Sequence, residues 1–178
     1  QKNILMAEIN EPPFEEKKII RFPELRYEFN KWTFINDSTI NSSDSLAYVA
    51  ELLTNYPEIV IELISHTDSR GEESQNQILS INRARACYKY LVEELKIDPR
   101  RIIPVGKGEK EPASWIDPIS GKSNLLTEEY INQFKDNDVL YEEKNQLNGR
   151  TEGRIISKDF NAVTFPEAPK EYLQFIVT

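Results

Sequence analysis

The chain has 178 residues, 39% of them hydrophobic and 29% charged, which suits one domain with extensions and excludes two full ones. Lys and Arg total 22 against 30 Asp and Glu, and the resulting net charge of −8 argues against a general nucleic-acid binder, whose affinity comes from clustered cations. No apolar run approaches a membrane span, the longest (Ile59 to Ile64) being broken by Glu62, and the single cysteine, Cys87, makes neither an internal disulfide nor a zinc cluster.

The chain starts at Gln1 with no methionine or signal-like segment, as a piece of something longer would. Within residues 1–21, Pro12-Pro13 stand beside Glu15, Glu16, Lys17 and Lys18, which reads as a linker arriving from an upstream domain. Leu25, Tyr27 and Phe29 then alternate with Glu24, Arg26, Glu28 and Asn30, predicting a half-buried first strand with Tyr27 and Phe29 facing the core. Residues 36–44 form a loop with Ser43 or Asp44 as the expected helix N-cap. Leu46, Val49, Ala50, Leu52 and Leu53 recur at helical spacing up to Tyr56, and Pro57 ends that helix.

Residues 59–65 (IVIELIS) are β-branched enough to be a strand buried on both faces. His66-Thr67-Asp68-Ser69-Arg70-Gly71 is a polar loop at its C-terminal end, and a helix follows from about Ser74 to Leu95 with the apolar stripe Ile81, Ala84, Tyr88, Leu91, Val92 and Leu95. A third strand is expected over residues 101–106 and a last one over 151–157. Between them lies an insert of about residues 113–147. It contains a short helix, 128–134, capped by Thr127 and stapled by Leu126 and Ile131. Residues 159–178 are a C-terminal extension whose strand-like end, EYLQFIVT, has no assigned place. The order predicts an α/β domain of βαβαβ type, a mixed sheet with helices packed on one face.

The window from Ile64 to Arg85 carries the chemistry. Asn76, Ser80 and Arg83 fall on nearly one helix face, beside the apolar stripe, so Arg83 comes to the seam near the loop that holds Asp68. Ligands of α/β sheets bind beyond strand C-termini, so acid and guanidinium face a common space. A carboxylate accepts from an ammonium and a guanidinium grips a carboxylate with two parallel bonds. Together they match the two charged groups on one amino-acid carbon.

These residues resemble the OmpA-like peptidoglycan-binding domain, shared with Pal lipoproteins and flagellar motor stators. The resemblance is carried by HTDSRG (His66 to Gly71), Asn76, Leu79-Ser80 with Arg83-Ala84, Tyr27 to Lys31, Arg101-Ile102 and Gly106 to Glu109 with Pro112. It places the domain at residues 22–158. It implies that Asp68 and Arg83 hold the free D-centre end of meso-diaminopimelate in the peptidoglycan stem peptide, with auxiliary contacts from Phe29, Asn30, Thr67, Asn76 and Arg150. The family often has a further arginine and an aromatic near the last strand, where this chain has Gly149 and Gly153, and Ser65 stands where glycine usually precedes the histidine. The insert ending in EEKNQLNGRTEGR further resembles C-terminal OmpA-like domains of multidomain envelope proteins, including a cell-wall-anchoring lipoprotein of the type IX secretion system.

The resemblance implies a non-enzymatic binder of peptidoglycan, periplasmic and tethered to the outer membrane through a larger protein, alongside other envelope or secretion-system partners. No nucleic acid, cofactor, metal or membrane span enters. Two other readings stay open: a protein-interaction module using the acidic insert, and a small peptidoglycan hydrolase using His66 and Asp68. Singly, Asp68 reads as a turn residue and Arg83 as a surface ion-pair partner. His66, the one histidine, reads as hydrogen-bonded structure at a strand end, and Cys87 as core filler. Asp136 and Asp138 lack the spacing of a calcium loop and read as a solvated turn. Trp32 fits a sugar site or the core equally.

Overall fold

Residues 18–22 and 25–177 are described by the computed structural model. Strand β2 (Val60–His66) occupies the middle of a four-stranded sheet of order β1-β6-β2-β3, with β1 at Ile19–Arg21, β3 at Ile102–Gly108 and β6 at Thr151–Ser157. β3 runs parallel to β2, with Ile61 beside Ile102, whereas β6 is antiparallel to both β2 and β1. Parallel neighbours require a crossover, supplied here by the long helix between them. The sheet is therefore mixed, as the pattern predicted.

Two helices cover it. α1 is Ser42–Asn55 and α2 is Glu73–Lys89, the latter continuing into a π-helical turn, Tyr90–Glu94. Ile61 and Leu63 of β2 and Ile155 of β6 pack with Leu46, Val49 and Leu53 of α1, with Cys87 and Tyr88 of α2 and with Leu91 of the π-helical turn in one cluster. Across the strand, Glu62 points the other way and meets Arg154 at 3.6 Å, the alternation a strand imposes. α2 approaches β3 closely at Gly106. Gln77 Nε2 donates to the Gly106 carbonyl at 2.8 Å, and Gly108 N donates to Ser80 Oγ at 2.9 Å. The polar row predicted on α2 thus partly serves to stitch helix to strand.

Several expectations need correction. Leu25 to Asn30 is not a strand of the sheet. Tyr27 bridges Phe34 instead, with Glu28 N donating to Thr33 O and Ile35 N to Arg26 O, so the alternating residues form one arm of a hairpin. The chain reverses at Glu28–Lys31, where Asn30 adopts φ 56°, and Phe29 projects into solvent, 87% exposed, rather than into the core. The expected linker, residues 1–21, is cut short. Residues 1–17 lie outside the described residues, but Ile19–Arg21 pairs with β6, Ile20 is buried, and Phe22 covers Gly153, where an added Cβ would sit 3.1 Å from Cζ. The space over Gly153 is thus filled by the Phe22 ring, from the residue that follows β1.

α1 starts earlier than expected, with Asn41 as N-cap: Ser43 N donates to Asn36 Oδ1 at 3.0 Å, and the Ser42 hydroxyl accepts from Arg26 N at 3.0 Å and donates to Arg26 O at 2.9 Å. The insert holds a hairpin, β4 (Ser114–Ile116) with β5 (Ser123–Leu125), then α3 (Glu128–Asn132) and α4 (Asp138–Asn148). Thr127 caps α3, its Oγ1 accepting from Tyr130 N at 3.2 Å, and Leu126 and Ile131 bury together with Ala113. α4 stands where a solvated acidic turn was expected. Its inner face is largely polar, with Tyr141 as its apolar contact on the small cluster of Ala113, Leu126 and Ile131. Lys144 lies with Nζ 3.9 Å from the Trp115 ring centre, and Asn148 accepts from Ala113 N (2.8 Å) and donates to Leu126 O (2.7 Å). The C-terminal extension makes a 3-10 turn, Lys170–Leu173, and returns along α2.

Among the described residues no helix is long and apolar enough to cross a membrane.

Candidate functional site

At the C-terminal end of β2 the chain leaves the sheet through Thr67, whose N donates to the Gly108 carbonyl at 2.9 Å, and turns at Asp68 to Gly71 before α2 begins. Asn76, buried on the first turns of α2, holds this loop. Its Nδ2 is 3.2 Å from the carbonyls of Asp68 and Arg70 and 2.6 Å from Glu109 Oε2. A predicted ligand contact is thus a clamp on the loop that presents Asp68.

Two turns further on, Arg83 reaches back over the same end of the molecule. Its Nε donates to the Lys31 carbonyl in the hairpin at 3.0 Å, and its guanidinium carbon lies 4.7 Å from the centre of the Tyr27 ring. Neither terminal nitrogen has a hydrogen-bond partner among the described residues, and neither is enclosed. Burial pulls the Arg83 guanidinium below its ordinary range, opposed by Tyr27, Asp68 and Cys87. The charge of Asp68 is thus felt at Arg83, although the two form no ion pair.

The platform beneath is built from hydroxyls. Ser65 Oγ and Thr151 Oγ1 are 2.7 Å apart, Thr151 Oγ1 and Tyr27 Oη 2.8 Å, and Tyr27 Oη and Cys87 Sγ 3.1 Å. Ser65, in the place usually held by glycine, is therefore a member of a buried chain that fixes the ring under Arg83. Burial pushes the Cys87 thiol up to about 12 and the Tyr27 hydroxyl well above its ordinary range, so both stay neutral. Cys87 is buried, in keeping with its reading as filler.

Asp68 already has a partner, Arg70. Its Oδ1 accepts from Arg70 N at 2.9 Å and its Oδ2 from an Arg70 terminal nitrogen at 2.7 Å. The other terminal nitrogen of Arg70 donates to Glu142 of α4 at 2.7 Å. Hydrogen bonding to Asp68 raises the Arg70 guanidinium pKa. Arg70 stood inside the HTDSRG motif, but nothing in the sequence pointed to Glu142, 72 residues away.

The remaining expected residues divide. Phe29 and Asn30 sit at the hairpin tip beside Lys31, on which Arg83 hangs. Thr67 Oγ1 is buried without a hydrogen-bond partner next to Asp68. Arg150 does not join the group. Its side chain goes to Glu152 Oε2 (3.2 Å) and to the carbonyls of Glu111 (3.2 Å) and Asn148 (3.4 Å).

His66 is enclosed. Neither ring nitrogen makes a well-aligned hydrogen bond, and Nε2 lies 3.3 Å from Glu152 Oε1. Burial pushes the Glu152 carboxyl up, but His66 and Arg150 together pull harder, and it falls from 4.5 to about 2. Because the folded value lies below the unfolded one, ionised Glu152 favours folding above pH 4.5, and this contribution fades as pH falls toward 2. In an acid titration followed by circular dichroism, the stability gap between wild type and Glu152→Gln is expected to narrow over that interval.

The structure is thus a mixed α/β domain with an acid on the loop after its central strand and a half-buried arginine on the helix that follows. The OmpA family profile matches residues 27–125, more than half of the chain, and takes in both charged residues. The chain belongs to the OmpA family. Outer membrane porin F of Pseudomonas fluorescens is 36% identical over 74 residues, 42% of this chain and 22% of that protein. The peptidoglycan-associated lipoprotein of Rhizobium meliloti is 32% identical over 90 residues, 49% of this chain and 51% of that protein. The chain thus spans between about a fifth and a half of the length of these relatives. The periplasmic domain of Helicobacter pylori MotB shares the fold, with a TM-score of 0.53 at 14% identity over 85% of this chain and 80% of that one.

Proposed function

We propose that the domain binds peptidoglycan without making or breaking a bond, through the free zwitterionic end of meso-diaminopimelate. Asp68 takes the ammonium and Arg83 the carboxylate. The observation that carries this reading is the state of Arg83: a half-buried guanidinium fixed by Nε and by a ring face, with both terminal nitrogens unspent. Those two nitrogens form the fork that grips a carboxylate. Asp68 keeps lone pairs beyond the two that Arg70 engages, so a ligand ammonium can share it. Phe29 and Asn30 at the exposed hairpin tip would add contacts, whereas the Thr67 hydroxyl is enclosed and would act only through the loop. Asn76 acts through the loop. Arg150, engaged with Glu152, Glu111 and Asn148, is assigned no ligand contact in this reading.

The Rhizobium relative is by name peptidoglycan-associated. In this reading the domain lies in the periplasm and ties a larger envelope protein to the wall near the outer membrane, of the multidomain kind that the insert resembles. The domain would extend from Ile19 through the C-terminal tail rather than over residues 22–158. A hydrolase using His66 finds little support, since the imidazole is enclosed against Glu152 and Asp68 is paired with Arg70.

Calorimetry with soluble stem peptides tests the proposal. A meso-diaminopimelate peptide is expected to bind wild type. A lysine-type stem, which lacks the carboxylate that Arg83 would hold, should bind at least about 30-fold more weakly, as removal of one member of a desolvated charge pair costs about 2 kcal/mol or more. Asp68→Ala should weaken the first peptide by a similar factor. Equal affinity for both peptides, or an unaffected Asp68→Ala, would remove the proposed site.

A further inference from the structure

We infer that the C-terminal tail positions the ligand site: Gln174 to Ile176, docked along α2, brace the hairpin whose Lys31 carbonyl holds Arg83. The inference rests on the reading of Arg83 as the carboxylate grip.

Asn82 is fully buried and immediately precedes Arg83. Its amide reads the tail backbone as a neighbouring strand would, Nδ2 donating to Ile176 O at 2.8 Å and Oδ1 accepting from Ile176 N at 2.7 Å. The Asn82 side chain has no other hydrogen-bond partner among the described residues, so without the tail a buried amide would lose both bonds. Arg85 adds a second attachment, donating to Gln174 O at 2.9 Å. The tail is thus fastened to α2 on both sides of Arg83 in sequence. Between the two attachments, Phe175 places its ring centre 5.5 Å from that of Trp32 and 5.8 Å from Lys89 Nζ.

Trp32 is the residue after Lys31, and the Lys31 carbonyl is the one hydrogen-bond partner of the Arg83 side chain among the described residues. The chain of contact is short: Asn82 and Arg85 fix the tail, the tail fixes Phe175, Phe175 packs on Trp32, and Trp32 steadies the carbonyl that aims the guanidinium. Phe175 and Asn82 are positioning residues. They touch no ligand in this scheme. The undecided Trp32 finds a role here, as the joint between tail and hairpin.

Two coupled sites must act on each other reciprocally. A tail that aims Arg83 must itself be held more firmly when a ligand occupies Arg83, whereas a tail that merely adds stability would not respond. The test uses the 178-residue chain with Phe175→Ala and Phe175→Tyr, the half-exposed position 175 making either change tolerable to the fold.

In the ligand-free protein, Phe175→Ala is expected to speed solvent exchange of the Arg83 Nε–H seen by NMR. It should also weaken a soluble meso-diaminopimelate peptide about 2- to 30-fold, the range of coupling through a packed contact, and Phe175→Tyr should restore both. Exchange of the Ile176 amide in wild type should slow when the peptide is saturating. Unchanged Nε–H exchange in Phe175→Ala overturns the inference, as does unchanged peptide affinity, whatever happens to its melting temperature. If wild type binds no such peptide, the ligand reading fails, and Nε–H exchange in the free protein decides the brace by itself.

Discussion

Arg83→Ala is expected to lose between about 30-fold and several thousand-fold in affinity for a meso-diaminopimelate peptide, corresponding to about 2–5 kcal/mol. The loss is large because the guanidinium is already desolvated on the Tyr27 ring and its Nε is already bonded to Lys31, so little reorganisation remains when a carboxylate arrives. Arg83→Lys should recover only a small part. An ammonium is a single charged point and cannot keep the Lys31 carbonyl while offering a two-pronged fork. Calorimetry of the three proteins, with melting temperatures taken in parallel, separates the two effects. Wild-type affinity in Arg83→Ala would dismiss the guanidinium as the grip.

Gly106→Ala is expected to cost about 3 kcal/mol of stability, the upper part of the range for overpacking. An added methyl would collide with Ile81 N and lie 2.5 Å from Ile81 Cγ1 and 2.6 Å from Ser80 Oγ, and helix backbone has little room to yield. For a chain of this size that is a fall in melting temperature of roughly 6–12 °C. Affinity should fall with it, because Asn76 and Arg83 ride on the helix that must move. Gly149→Ala is the control. Its backbone lies in an ordinary region, φ −74°, and the nearest atoms to an added Cβ are 3.9 Å away, so it should be close to neutral. Chemical denaturation of both variants checks the contrast, and a Gly106→Ala as stable as wild type would contradict the close approach of α2 to β3.

The Asp68–Arg70–Glu142 pairing gives the insert a place beside the site. Arg70 joins the loop that carries Asp68 to the first turns of α4. These pairs are open to water, so their contribution to stability is small. Their consequence is geometric: the Asp68 carboxylate is turned toward Arg70 and held by both its oxygens.

Much of this was legible in residue order, for reasons that are local. The helices of Leu46 to Leu53 and Ile81 to Leu91 each bury one stripe, and a 3.6-residue period survives whatever they pack against. Thr127 capping α3 is likewise a matter of three residues' backbone. The strand end at His66, the loop that carries Asp68 and the helix that carries Arg83 could be placed in order because each is a short local pattern. Family membership followed from the same window.

What escaped depends on partners distant in the chain. Alternation in Leu25 to Phe29 marks an extended arm but does not say whether its partner is the sheet or, as here, the returning arm at Thr33 to Ile35. Ile19-Ile20 is too short to announce a strand, and it becomes one because β6 has a free edge to offer. α4 hides its inner face behind Lys144, Asn145 and Asn148, which are buried through an aromatic ring and main-chain bonds rather than through hydrophobicity.

The sequence by itself determined the two covering helices, the central strands and the mixed α/β class, since each depends on side-chain periodicity and near neighbours. Only the tertiary structure decided how the two charges of the site are held. Arg83 rests on Tyr27 and Lys31, Asp68 is engaged by Arg70, and the tail reaches Trp32 across α2. Those contacts join residues up to 143 positions apart, and pairing at that range is set by how packed surfaces fit together, which no local pattern encodes.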